Sequence, residues 1–264
     1  MQLFFRKFGN TGGNIIILHG LYGCSDNWVS IAKSLSHSHT VFAVDLRNHG
    51  RSPHSNEHSY ETVCDDLVEF IRYHKIEQPA IIGHSMGGRC AALLAKRHPA
   101  LLSKTVIVDI SPFNCANQET ILAFHQNILS ALTSVNTNNI HSRHEAAAQI
   151  STKISDINLQ NFLLKNLYQA PKGNFLWRFN LPAILNNVKT ITCGSLKKNE
   201  KNKVQIPALF IIGENSNHII DSDIKIITDV FLDLKIEIIA DAGHWIHVEQ
   251  QEKFVNCVQK FIER

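Results

Sequence analysis

Short apolar runs rich in β-branched residues recur along the chain and alternate with longer stretches of helical spacing. Continuous apolar runs are typical of strands buried on both faces of a parallel sheet. They predict strands at residues 14–18, 40–44, 80–82, 105–108, 208–212 and 236–239. Amphipathic helices are predicted at residues 26–35, 60–74, 86–98, 221–232 and 249–262. This alternation predicts an α/β fold with a mostly parallel, doubly wound sheet.

The alternation stops in one long segment, residues 112–204, where helical patterns follow one another without a strong strand between them. Residues 118–132 and 144–154 show these patterns most clearly. We therefore expect a core domain formed by residues 1–111 and 205–264. The segment between its two parts is predicted to be an inserted helical cap.

Composition and charge narrow the class of protein. Hydrophobic residues make up 44% of the chain and charged residues 19%, so a large core is possible and global disorder is not expected. The 26 basic and 23 acidic residues form no long block of one sign, which gives no electrostatic reason to expect nucleic acid as a partner. Without a signal-like start or a run of 18 apolar residues, neither secretion nor stable membrane insertion is expected.

Cysteine and histidine usage adds two further expectations. The six cysteines are scattered without a C-x-x-C pair, which favours reduced thiols and a cytoplasmic location. Paired histidines occur, but no third ligand follows at a spacing typical of a metal site. No metal is therefore predicted.

The sequence GHSMGG at residues 83–88 follows an apolar run and opens a stretch of helical spacing. A nucleophile elbow, the sharp strand-to-helix turn that exposes a serine, has this context. The turn strains the serine backbone and needs small flanking residues, which Gly83 and Gly87 provide. Ser85 is therefore the predicted nucleophile.

Two backbone N–H groups are predicted to stabilise an oxyanion. The turn aims the N–H of Met86, at the start of a helix, toward the place where negative charge develops on a substrate carbonyl. A second donor is expected in the loop after an earlier strand. Residues 14–18 run into the sequence HGLYG at residues 19–23, which makes Leu21 the predicted second donor.

A serine hydroxyl is a weak nucleophile at neutral pH and needs a base that is oriented by an acid. In this kind of fold these residues follow in the order serine, acid, histidine. His244 lies between the predicted strand at residues 236–239 and the last predicted helix. It is the predicted base, with His247 as the alternative.

The acid has several candidates. In most such folds it follows the next-to-last strand, but Glu214 stands there without an aspartate at the expected position. Asp109 ends the run at residues 105–108, at the edge of the sheet where α/β sites form. Asp109 is favoured, although acids at strand ends also cap loops. Glu214 and the pair Asp221 and Asp223 remain alternatives.

Together the motifs resemble those of the α/β-hydrolase superfamily and, within it, the YbfF-type bacterial esterases. They are HGLYG at residues 19–23, DLRNHG at 45–50, GHSMGG at 83–88, VDISP at 108–112, GENS at 213–216 and AGHW at 242–245. In that family an Asn-Ser pair replaces the late acid. The resemblance implies a triad of Ser85, Asp109 and His244, with Leu21 and Met86 as oxyanion donors. It also implies short acyl esters or acyl-CoA thioesters as substrates.

The predicted function is a serine hydrolase that cleaves carboxylic esters or acyl-CoA thioesters through an acyl-enzyme, without a cofactor. Its partner would be this small-molecule substrate, and the protein would be a monomer or homodimer. Two alternatives remain. One is a carbon-oxygen lyase like those of menaquinone synthesis, which share the elbow and a similar cap. The other is a non-catalytic homologue that uses its pocket to bind a ligand.

Four residues are expected to contact the substrate. His19 and Gly20 lie in the loop beside Leu21, and Trp245 follows His244 directly. Trp177 belongs to a group of aromatic residues near the end of the predicted cap. Such a group either lines a substrate pocket between domains or packs the cap onto the core.

Overall fold

The computed structural model describes residues 1–114, 118–171, 173–197 and 203–264. In chain order the strands are β1 (Phe5–Phe8), β2 (Asn14–Leu18), β3 (Thr40–Val44), β4 (Ala80–His84), β5 (Lys104–Val108), β6 (Leu167–Gln169), β7 (Phe175–Trp177), β8 (Ala208–Gly213) and β9 (Leu234–Ile239). Seven of them form one sheet in the order β1-β3-β2-β4-β5-β8-β9. Every neighbouring pair is parallel except β1 with β3. The predicted mostly parallel α/β fold is confirmed.

Ten α-helices connect or follow these strands in the described residues. They are α1 (Val29–Leu35), α2 (Tyr60–Tyr73), α3 (Met86–Arg97), α4 (Gln118–Ser134), α5 (Arg143–Ser151), α6 (Ile157–Leu164), α7 (Leu181–Thr192), α8 (Asp221–Val230), α9 (Ile246–Glu249) and α10 (Gln251–Ile262). A 3₁₀ turn, Ser25–Trp28, precedes α1. Within the described ranges, none of the helices has the length and apolar content required to cross a bilayer.

The two faces of the sheet explain why a central strand such as β2 is apolar at successive positions. Along β2, Ile16 and Leu18 point into a cluster that includes α2 and α3. Ile15 and Ile17 point to the opposite face, into a cluster with α1 and α10. Successive side chains of a strand alternate between faces, so a strand covered on both faces buries every position.

The six predicted strands all form. The strands β1, β6 and β7 were not predicted. The sequence of β1, FRKF, contains two charged residues, and the strand lies at the edge of the sheet with its side chains partly exposed. Strands β6 and β7 form a separate two-stranded sheet. Each has three residues, which are too few to show an alternating pattern in the sequence.

Between β5 and β8 the chain forms α4, α5, α6 and α7 together with the β6–β7 pair. We call these elements the cap segment. Hydrogen bonds join it to loops of the sheet: Asn166 Nδ2 donates to the carbonyl oxygen of Tyr22 at 2.7 Å, and Asn180 N donates to that of Asn48 at 2.8 Å. The cap segment therefore lies over the edge of the sheet that carries the loops after β2 and β3.

Candidate active site

Ser85 is the single residue between β4 and α3. Its backbone angles are φ 52° and ψ −119°, a conformation that is rare for a residue with a side chain. A Cβ atom on Gly83 would overlap the carbonyl oxygen of Gly87, and one on Gly87 would lie 2.5 Å from that of Leu18. Both positions therefore require glycine, and the nucleophile-elbow geometry predicted from the motif is present.

Asp109 and His244 form a direct hydrogen bond. Asp109 follows β5 and is completely buried, and its Oδ2 atom lies 2.7 Å from Nδ1 of His244. The same carboxylate accepts hydrogen bonds from Ser216 Oγ at 2.5 Å and from the backbone N–H of Gly213 at 3.1 Å. Burial raises the pKa of Asp109 to about 6, against the opposing effect of these two hydrogen bonds.

The alternative acids and the alternative histidine lie in other environments. Glu214 accepts a hydrogen bond from the N–H of Asp241, and Asp223 accepts one from the N–H of Ile220. Asp221 is exposed at the first position of α8. The ring of His247 stacks on Trp28 with 4.0 Å between ring centroids. Of the candidate acids, Asp109 alone is bonded to His244.

The imidazole of His244 is neutral at physiological pH. Burial lowers its pKa to about 3, and the nearby His247, His125 and Arg89 side chains act in the same direction. Because Nδ1 donates to Asp109, the lone pair of the neutral ring is on Nε2. A neutral imidazole in this tautomer can accept a proton from a serine hydroxyl.

The backbone around His244 is held from both sides. His84 Nε2 lies 2.9 Å from the carbonyl oxygen of His244 and donates to it. Glu249 accepts hydrogen bonds from the N–H groups of Gly243 at 2.6 Å and Trp245 at 3.1 Å. These contacts fix the loop between β9 and α9 and therefore the position of the imidazole.

Ser85 and His244 line the same cavity, which has a volume of about 160 Å³. Most of its wall is apolar, and the cap segment contributes aromatic and aliphatic side chains from α4 and α6. These are Phe124, Ile128, Leu159 and Phe162. The site therefore combines a serine, a neutral imidazole and an apolar enclosure between the sheet and the cap segment.

The predicted oxyanion donors lie beside Ser85. Leu21, Ser85 and Met86 together line a second, smaller cavity next to the first. Neither backbone N–H, of Leu21 or of Met86, donates to an acceptor among the described residues. The N–H of Met86 is free because it belongs to the first turn of α3.

Three of the four predicted substrate contacts line the larger cavity: His19, Gly20 and Trp245. The ring nitrogens of His19 are occupied, since Nδ1 bonds the carbonyl oxygen of Gly20 at 2.8 Å and Nε2 accepts from the N–H of Leu46 at 3.0 Å. His19 therefore shapes the loop. A Cβ atom on Gly20 would lie 3.2 Å from Cβ of Ser85, so this position keeps the nucleophile accessible.

Trp177 is the fourth predicted substrate contact, and this expectation is corrected because Trp177 does not line the cavity. Its ring stacks on Phe179 with 5.3 Å between centroids, and Phe179 packs edge-on against Tyr22. Tyr22 does line the cavity. Trp177 therefore packs the cap segment onto the loop after β2, which is the alternative stated for this aromatic group.

Several site residues were missed in the sequence. His125 of α4 and His218, which follows β8, line the cavity, and the His218 ring stacks on His244. Ser216 contacts Asp109, and the Asn-Ser pair of the motif was the available signal for it. Among the described residues, no group of three or more His, Cys, Asp or Glu side chains is arranged to hold a metal ion.

The doubly wound sheet, the strained serine turn and the buried Asp109–His244 pair define an α/β hydrolase. The family model described as the alpha/beta hydrolase fold matches residues 13–251, and the chain belongs to this family. Its predicted resemblance to the YbfF type is also confirmed, since the chain is similar to Esterase YbfF of Escherichia coli. That match has 29% identity over 251 residues, covering 94% of this chain and 92% of the other.

Two further similarities extend over most of the chain. The sn-1-specific diacylglycerol lipase of Mus musculus is 32% identical over 250 residues, which cover 94% of this chain and 80% of the lipase. A solved structure described as a marine microorganism esterase has 40% sequence identity and a TM-score of 0.95. That match covers 98% of this chain and 99% of the esterase.

Proposed function

We propose that the protein is a serine hydrolase of carboxylic esters, with Ser85 as nucleophile, His244 as base and Asp109 as the acid that orients the base. One observation carries the proposal: His244, which is bonded to Asp109 at 2.7 Å, lines the same cavity as the strained Ser85. The similar proteins named esterase and lipase support the same reaction class.

The geometry supports the following steps. Ser85 Oγ attacks the acyl carbonyl carbon while His244 Nε2 takes the hydroxyl proton. The N–H groups of Leu21 and Met86 stabilise the oxyanion of the tetrahedral intermediate. The intermediate then releases the alcohol, which receives the proton from His244. Water attacks the acyl-enzyme by the same route and releases the acid, so no cofactor is required.

The substrate class follows from the enclosure. An apolar cavity of about 160 Å³ suits a short acyl or alcohol chain more than a bulky polar one. The same steps cleave a thioester, so acyl-CoA thioesters belong to the proposed class. In this proposal residues 112–204 act as a cap domain that covers the substrate.

The proposed location is the cytoplasm. The cysteines that the structure describes, Cys24, Cys64, Cys90, Cys193 and Cys257, are free thiols. Free thiols persist in a reducing compartment.

The test compares wild type with Ser85→Ala on p-nitrophenyl butyrate. The variant should lose roughly four decades of kcat or more, because it lacks the nucleophile. Ser30→Ala removes an exposed hydroxyl on α1 and serves as the matched control. Activity of Ser85→Ala within tenfold of wild type would contradict the assignment.

A fluorophosphonate probe provides a second readout that does not depend on the choice of ester. Labelling of Ser85 in the wild type supports an activated serine. An unlabelled Ser85 in folded protein favours a non-catalytic binding protein. If Ser85 is labelled while no ester is hydrolysed and a carboxylate is eliminated instead, the lyase alternative is favoured.

A further inference from the structure

Arg89 lies one helical turn after Ser85 in α3 and is 3% exposed. Its Nε atom donates to the carbonyl oxygen of Ser111 at 3.1 Å. Its Nη1 atom donates to the carbonyl oxygens of Thr192 at 2.6 Å and Ile191 at 3.3 Å. The Nη2 atom is buried and has no acceptor in the part of the chain that the structure describes. Two of the five guanidinium N–H donors are therefore unused.

The charge of Arg89 has no ionised partner in the described ranges. No described carboxylate lies within ion-pair distance of it. Both oxygens of Asp109 are occupied by other donors. Burial raises the pKa of the nearby Tyr60 to about 12, so this phenol is neutral. The last carbonyls of α7 carry only a partial negative charge, and a buried unpaired charge is costly.

Arg89 lines the smaller of the two cavities described above, together with Ser85, Leu21 and Met86. Its volume is about 20 Å³. A water molecule needs about 10–15 Å³ on this measure, so the space matches one or two atoms of oxygen size. Because the nucleophile and both proposed oxyanion donors border this space, a group bound there is close to the carbonyl under attack.

Two imidazole rings border the same space. His125 and His218 line the small cavity, and the Nδ1 atom of each is buried without a partner among the described residues. Burial lowers the pKa of each to about 3, so both rings are neutral and each has one N–H to donate. The cavity therefore combines a guanidinium and two imidazoles around a volume suited to a carboxylate.

We propose that the small cavity binds a carboxylate on the acyl part of the substrate, with Arg89 Nη2 as its main donor. The protein then hydrolyses half-esters of short dicarboxylic acids to the dicarboxylate and an alcohol. This inference rests on the proposed ester hydrolysis. The competing role for Arg89 is structural: its bonds to Ile191 and Thr192 tie α7 to α3 and require no ligand.

The test compares monoethyl succinate with ethyl 4-oxopentanoate, in which a methyl ketone replaces the carboxylate. Wild type should show a kcat/KM for the half-ester at least about tenfold above that for the ketone, because the guanidinium pairs only with the anion. In Arg89→Gln this ratio should fall about tenfold, mainly through KM. A ratio measured on one protein sample is independent of how much of that sample is folded.

Arg97→Gln is the matched control, because it removes an arginine from the exposed end of the same helix. Its ratio should equal that of wild type. A wild-type ratio at or below one overturns the inference even if Arg89→Gln does not fold. An unchanged ratio in folded Arg89→Gln also overturns the inference. Arg89 would then have the structural role of joining α7 to α3.

A binding measurement separates this inference from the proposed function. Succinate should inhibit wild type, or protect it from the fluorophosphonate probe, at least about tenfold more strongly than butyrate, and Arg89→Gln should lose the difference. If the neutral ester is hydrolysed but succinate has no advantage, only the present inference fails. If neither ester is hydrolysed and Ser85 is not labelled, the proposed ester hydrolysis is wrong. Calorimetric titration of wild type and Arg89→Gln with succinate then decides whether the anion site exists.

Discussion

The imidazole of His218 lies flat against the imidazole of His244, with 3.7 Å between ring centroids and 23° between ring planes. Burial lowers the pKa of His218 to about 3, so the two rings do not repel one another as cations at neutral pH. Nδ1 of His244 is bonded to Asp109, and the stacked ring restricts rotation about that bond. His218 is therefore a positioning residue for His244.

This stacking predicts the behaviour of two variants. His218→Ala should lower kcat for a neutral ester about tenfold, because the catalytic imidazole gains rotational freedom. His218→Phe keeps a flat ring and should recover most of the loss. Equal losses of kcat in both variants would show that a ring nitrogen of His218, and not the stacking, supports catalysis.

Asp109→Asn should lose on the order of 10³ to 10⁴ in kcat, because an amide cannot stabilise the imidazolium or select its tautomer. Steady-state kinetics with p-nitrophenyl butyrate measure the loss. Glu214→Gln is the control, since that exposed carboxylate accepts a hydrogen bond from the N–H of Asp241 and is not bonded to His244. If Glu214→Gln is the more damaging change, the acid has been misassigned.

The pH profile should have an acid limb set by Asp109. The active form has Asp109 ionised and His244 neutral, and burial raises the pKa of the first to about 6 while lowering that of the second to about 3. On acidification the carboxylate is protonated first, so kcat/KM should fall as the pH drops through about 6.

Ser216→Ala tests the origin of that limb. The hydrogen bond from Ser216 lowers the pKa of Asp109, so its removal should move the limb to higher pH. Profiles of kcat/KM for a neutral ester at constant ionic strength measure the shift. Ser30→Ala should leave the limb in place. A limb that does not move in Ser216→Ala would mean that another group controls it.

Gly83→Ala should lower the free energy of unfolding by about 3 kcal/mol or more, because the added methyl overlaps backbone atoms of Gly87 and the backbone must shift to accommodate it. Urea denaturation measures the loss. Gly13→Ala is the control, since the nearest atom to its Cβ would be 3.8 Å away. Similar stability losses in the two variants would show that the turn tolerates a side chain.

The parts of the fold that were predictable share one property: their signal is local. Strand β4 and the turn at Ser85 could be predicted because an apolar run, a glycine-flanked serine and a helix start are adjacent in the sequence. Asp109 could be proposed because it directly follows a run that is buried on both faces. Edge strand β1 was missed because partial exposure leaves no continuous apolar run.

The remaining site features depend on contacts between distant segments. The acceptors of Arg89 at residues 191 and 192 are more than 100 positions away in sequence, so the lack of a carboxylate partner for Arg89 among the described residues has no local signature. The same holds for His125, which reaches the cavity from the cap segment. Trp177 was assigned to the pocket because an aromatic group has the same pattern whether it packs or lines a site.

The hydrogen bonds from Arg89 to the last turn of α7 also determine how a substrate can enter. Since Arg89 belongs to α3, the helix that follows Ser85 directly, these bonds join α7 to the nucleophile helix. Moving α7 alone would break these bonds and leave Nη1 of a buried guanidinium without its acceptors. We therefore expect the substrate to enter where α4 and α6 meet the loop that carries Trp245, since no hydrogen bond between described residues joins either helix to that loop.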